Sequence, residues 1–150
     1  MIECALGDHK GKAPLYCKSP GSGENSLVRR CGLEQTVEVS VMTLDEVVRK
    51  TGVLEPFFVK IDVQGYEHSV LRGARETIAG MCTLISEFWP WGLKTAGASP
   101  NEYLELLNAH GYRAFELDGR RVSQKKIERL CEFGQDDPFV VTDLLFRKCT

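Results

Sequence analysis

Residues 57–63 (FFVKIDV) form an almost unbroken β-rich run that ends on polar Asp62 and is broken by Gln64-Gly65. Such a run predicts a strand buried on both faces, which is a strand of a parallel sheet covered by helices. A helix is expected from about Tyr66 to Ile78, with Val70, Leu71, Ala74 and Ile78 on one side. A buried strand running into a helix constrains this chain to the α/β class.

The rest of the chain agrees. Residues 1–6 and 13–17 read as short strands, and residues 36–42 alternate Val37, Val39, Val41 with polar neighbours as a half-buried strand does. Thr43 and Glu46 form a capping box for a helix that Gly52 stops. Residues 82–88 (CTLISEF) predict a second buried strand, followed by a loop holding Pro90, Gly92 and Gly97. Ser99, Pro100 and Glu102 open a further helix that Gly111 ends. Two more strands are expected at 112–117 and 139–147, with a weaker helix at 123–131 between them.

The 150 residues fit one domain, with 43% hydrophobic and 27% charged residues as in ordinary globular proteins. A net charge of −2 gives no electrostatic support for nucleic-acid or membrane-surface binding, and pairs such as Arg29-Arg30 and Lys125-Lys126 read as solvated faces. No run approaches the length of a membrane span. Six cysteines form no CxxC spacing and no secretory signal precedes them, so no metal site is expected, the thiols are read as free and the location as cytoplasmic. Cys4 and Cys82 read as small core residues.

In open α/β sheets ligands sit beyond the carboxyl ends of the strands. Asp8, Asp62 and Glu87 each end a strand, and Gln64, Gly65, Glu67, Trp89 and Trp91 lie close by. Asp62 is read as a helix cap or a functional acid, and Glu67 as a first-turn acid favoured by the helix dipole or a site residue. Glu87 is an exposed strand-end acid or a catalytic one, and the tryptophans are lid or core packing. His9, His68 and His110 stand apart from one another and are given surface or structural roles.

Lys60-Ile61-Asp62-Val63-Gln64-Gly65-Tyr66-Glu67, followed by Val70-Leu71-Arg72-Gly73-Ala74, resembles the signature of the FkbM-type methyltransferases. Ala5-Leu6-Gly7-Asp8 with Gly11, Thr43-Leu44-Asp45, Ile85-Ser86-Glu87-Phe88 and Gly111-Tyr112 are similar to further blocks of that family, in the same order. The resemblance implies a partial Rossmann-like class I methyltransferase sheet, mostly parallel with its last strand reversed. It implies S-adenosylmethionine as cofactor, with Asp8 near the adenine and Asp62 and Gly65 near the transferred methyl. It implies Glu87 at the pocket of a small-molecule hydroxyl acceptor, a sugar or polyketide-like compound, with Asp62 as the first candidate for the catalytic base or acceptor-orienting group and Glu87 as the second. Gln64 stands where the family more often has Glu.

The family's opening glycine-rich turn, and the acid that holds the ribose, have no counterpart here. The chain is therefore expected to be an N-terminally truncated domain over 1–150, marginal in stability, with strand edges left open for self-association or a partner chain. A non-catalytic fragment or partner-completed pseudo-methyltransferase is the alternative. A different Rossmann-type nucleotide enzyme would need the same glycine turn and explains the chain no better.

Overall fold

A computed structural model describes residues 2–18, 24–33, 35–53, 58–80 and 83–148. Cys82, Pro20, Gly21, Gly23 and Phe57 lie outside the described residues.

The strands fall into two sheets rather than one. In the first, β1 (Ala5–Leu6) runs parallel to β3 (Gln35–Met42), and β2 (Gly11–Cys17) runs antiparallel on the other side of β3. The second sheet has the order β4 (Phe58–Ile61), β5 (Thr83–Phe88), β7 (Thr142–Lys148), β6 (Tyr112–Phe115). There β4 and β5 are parallel, and β7 is inserted antiparallel between β5 and β6. The expected reversal of the last strand is present. The expectation of a mostly parallel sheet is corrected to mixed sheets, because β7 makes both of its ladders antiparallel and β2 does the same to β3.

The helices are α1 (Leu44–Thr51), α2 (Glu67–Arg72), α3 (Arg75–Gly80), α4 (Pro90–Thr95), α5 (Pro100–Ala109) and α6 (Gln124–Gly134). Thr43 caps α1 and Ser99 caps α5, each in a complete capping box, and Gly52 closes α1 at φ 70°. None of the described helices is long and apolar enough to cross a membrane.

The single helix expected over 66–78 is two helices. Gly73 breaks it, because that backbone packs directly on β1's exit. A Cβ at Gly73 would lie 2.1 Å from the Gly7 carbonyl oxygen. The chain restarts as α3 under Asp45, whose Oδ2 accepts the Glu76 N–H at 3.1 Å and whose Oδ1 accepts the Thr77 N–H at 2.8 Å. Asp45 thereby serves the orphan amides that open α3 from a different helix, doing the work of a cap. The expected loop after β5 contains α4, which opens on Pro90 in the position where a missing N–H is harmless.

The core lies in the second sheet and the helices on it. Val70, Leu71, Ile78, Leu84, Phe88, Leu107, Tyr112 and Phe146 are all buried within one cluster. Tyr103 stacks against Phe88 and edge-on to Phe146. β4 is not buried on both faces as expected. Among the described residues it pairs only with β5, Ile61 alone of its four residues is buried, and Phe58 is 55% exposed. Along β3 only Val41 is buried and Val37 is exposed, so the far end of the β2–β3 ribbon stands clear of the core. Cys4 is half-buried, and among the described cysteines Cys17 and Cys131 are the buried ones.

Candidate active site

The ladder between β4 and β5 sets the site. Ile61 pairs with Ser86, so the next residues along, Asp62 and Glu87, leave the two strands side by side. Side chains alternate along a strand, and Ser86 and Phe88 go to the core while Glu87 turns to the other face. On β4 the same alternation buries Ile61 and places Lys60 and Asp62 together, with Lys60 Nζ donating to Asp62 Oδ2 at 3.0 Å.

Gln64 bridges the two acids. Its Nε2 donates to Asp62 Oδ1 at 3.1 Å and lies 3.4 Å from Glu87 Oε2. It sits at φ 55°, alone among the described non-glycine residues in having a positive φ. Ser26 Oγ, from the β2–β3 connection, donates to the Gln64 carbonyl at 3.1 Å. Gly65, at φ 94°, lies so near α4 that a Cβ there would be 2.8 Å from the Gly92 carbonyl carbon and oxygen. Both positions need the left-handed region, and at Gly65 the close approach also requires glycine. Gly92 in turn has room only for hydrogen, since its Cβ would lie 2.2 Å from the Trp89 ring.

The acids differ in their surroundings. Burial works to raise Asp62, but the hydrogen bonds from Lys60 and Gln64 outweigh it and hold the carboxyl below the usual range. Glu87 goes the other way, to about 7. Burial is the main cause, followed by the negative charges of Glu67, Asp62 and Asp143, with Arg30 partly offsetting them. Asp143 stands directly across the β5–β7 ladder from Glu87.

Sequence reasoning missed Arg30. Its guanidinium lies 4.8 Å from the Trp89 ring centroid, and burial lowers its pKa against the pull of Glu87. Only its approach through the β2–β3 connection brings it here, and no local pattern signals that. Trp89 Nε1 donates to the Pro138 carbonyl at 2.9 Å and its ring meets Trp91 at 5.3 Å, so the two tryptophans form a packed wall beside Glu87.

The structure thus brings Asp62, Gln64, Gly65 and Glu87 together. It sets Asp8 elsewhere: its carboxylate accepts from His9 at 2.7 Å and lies 3.8 Å from Arg72, at the far end of α2. His110 Nδ1 meets the Leu106 carbonyl at 2.8 Å. No group of His, Cys, Asp and Glu able to hold a metal occurs among the described residues.

Beside Asp62 opens a cleft of about 620 Å³ between the first sheet and the turn that follows β4, lined by Ala5, Leu6, Val39, Val63 and Tyr66 together with the acids Glu3, Glu38 and Asp62. The volume lies within the usual range for small-molecule sites.

A mixed sheet in the order β4-β5-β7-β6 with β7 reversed, carrying acids where β4 and β5 end, is a methyltransferase-like α/β arrangement. Residues 1–114 match the model of the Methyltransferase FkbM domain, and the chain belongs to that family. The family resemblance drawn from the Lys60–Glu67 block and the blocks around it is thereby borne out. No curated protein and no solved structure matches the chain.

Proposed function

We propose that this chain carries out S-adenosylmethionine-dependent methyl transfer to a hydroxyl of a sugar or other small molecule, on a partial Rossmann-like class I fold, in the cytoplasm. The carrying observation is the pair of adjacent strand-end acids whose surroundings drive them apart, Asp62 held ionised and Glu87 at about 7. Two neighbouring carboxyls with separated pKa values is how one site obtains both a fixed charge and a proton acceptor near neutral pH.

The lining of the cleft suits both the ring and the charge of the cofactor. Apolar Ala5, Leu6 and Val63 with the Tyr66 ring fit a flat heteroaromatic group, and the Asp62 carboxylate in the lining fits a cation. Asp62 and Tyr66 are the residues that would hold it. No glycine among the described residues lines this cleft, so a close backbone approach is not supplied from there. Bound S-adenosylmethionine supplies an electrophilic methyl group. Glu87 accepts the hydroxyl proton as the acceptor oxygen attacks. Asp62 stays ionised and orients the acceptor, and Gln64 fixes the distance between the two acids. The wall of Trp89 and Trp91, with Arg30 over the Trp89 ring, borders the acceptor.

A second reading is a non-catalytic domain that a partner chain completes. The edge of β4 that no strand among the described residues covers, with exposed Phe58, favours it, because an unpaired strand edge invites another strand. Calorimetric titration of S-adenosylmethionine into the 150-residue chain, with circular dichroism to confirm folding, separates the readings. One-to-one binding, followed by a loss of about 10²–10⁴ in methyl transfer for Glu87→Ala, supports the enzyme. A folded chain that does not bind refutes it as an independent enzyme.

A further inference from the structure

Glu67 has no exposed surface, which sets it apart from every other acid among the described residues. A first-turn acid that serves only the helix dipole stays in water, where ionisation costs little. Glu67 instead points inward from a six-residue helix and bonds backwards to the turn before it. Its Oε1 accepts the Val63 N–H and the Gly65 N–H, both at 3.1 Å. These two amides flank Gln64, the strained residue at φ 55°. One oxygen therefore fixes the peptide groups on both sides of the residue that links Asp62 to Glu87. The same turn is also supported by Ser26 on the Gln64 carbonyl and by Gly92 against Gly65. Strain at a site persists only where its surroundings over-determine it. Removing Glu67 leaves two amides unpaired and frees Gln64 to relax toward negative φ, which swings its side chain away from both acids.

We propose that Glu67 is a positioning residue of the site: its buried carboxyl clamps the 62–65 turn so that Asp62 and Gln64 face Glu87. The proposal rests on the reading of Asp62 and Glu87 as the working acids, though the clamp itself can be tested without any reaction. What it requires of residue 67 is a carbonyl-type acceptor, not a charge. Glu67→Gln keeps that acceptor, whereas Glu67→Leu fills the space and removes it.

The experiment is nuclear magnetic resonance on the isotope-labelled chain, with methyl transfer measured alongside. In the wild type, scalar couplings across the hydrogen bonds are expected from the Val63 and Gly65 nitrogens to the Glu67 carboxyl carbon. In Glu67→Leu, amide exchange at residues 63 and 65 is expected to rise by about tenfold or more, with Val70 and Leu71 in α2 unchanged. Its kcat is expected to fall by roughly 10²-fold, while Glu67→Gln keeps slow exchange and most of the activity. Unchanged exchange in Glu67→Leu, or equal damage in both variants, overturns the clamp. Should Glu67→Leu fail to fold, absence of the wild-type couplings overturns it and their presence together with slow exchange in Glu67→Gln upholds it. If the wild type transfers no methyl group while the couplings and exchange behave as stated, the clamp stands and the functional reading fails.

Discussion

Gly65→Ala probes the contact that holds the acid-bearing turn against α4. Two independent costs arise. Residue 65 sits at φ 94°, where a Cβ adds about 1 kcal/mol. That Cβ would also lie 2.8 Å from the Gly92 carbonyl carbon and oxygen and 2.9 Å from its Cα. These are backbone atoms, which cannot rotate away, so the turn or α4 must shift. Overpacking of this kind costs typically ~1–3 kcal/mol. The sum is ~2–4 kcal/mol, a loss of roughly 4–16 °C in Tm for a chain of this size. Gly97→Ala is the control. Gly97 has φ 86° but nothing within 4 Å of its Cβ, so only the conformational cost of about 1 kcal/mol applies. Urea unfolding followed by circular dichroism measures both, and equal m values show that the same unfolding is compared. If Gly65→Ala costs no more than Gly97→Ala, α4 does not press on the turn and the account of its strain is wrong.

Glu87→Gln should flatten the pH dependence of stability. Glu87 is raised from 4.5 to about 7 in the folded chain. The folded state therefore holds its proton more tightly than the unfolded state between those values, and stability falls as pH rises from 4.5 through 7. The ceiling on this loss is ~3 kcal/mol, and screening at a half-buried carboxyl brings it nearer ~1 kcal/mol. Thermal melts of both proteins at pH 5 and pH 8 check it: the variant should gain at pH 8 and differ little at pH 5. Asp45→Ala should cost ~1–3 kcal/mol in urea unfolding, because Glu76 and Thr77 lose their acceptor at the start of α3. Asp45→Asn, which keeps one acceptor oxygen, should recover part of that.

Where the chain is governed by near neighbours, its pattern could be read directly. The capping boxes at Thr43 and Ser99, the stop at Gly52 and most strands follow from residues a few positions apart. The adjacency of Asp62 and Glu87 was also legible, since each ends a β-rich run and parallel neighbours present their ends together. What escaped is set by distant contacts. Gly73 reads as a tolerable glycine within a helix until the Gly7 carbonyl occupies the place of its Cβ. Gly92 reads as a loop glycine, yet it is the point where Trp89 and Gly65 both need room. The exposure of Phe58 cannot be foreseen from an apolar run, because the run is the same whether one partner strand or two flank it.

Glu67 shows why the site's support is harder to read than the site itself. A Glu at the first position of a helix is so common that its ordinary explanation, the helix dipole, suffices from sequence alone. Only its full burial, and the two amides on one oxygen, separate a clamp from a surface charge. Asp62, Gln64 and Glu87 can be named as strand-end residues because each stands at or just beyond the end of a β-rich run. The residue that aims them bonds backbone, and backbone amides carry no side-chain identity in a sequence. Glu67, Gly65 and Gly92 converge on four residues of turn, so a change at any of them should act through the spacing of the two acids, not through the acids' own chemistry.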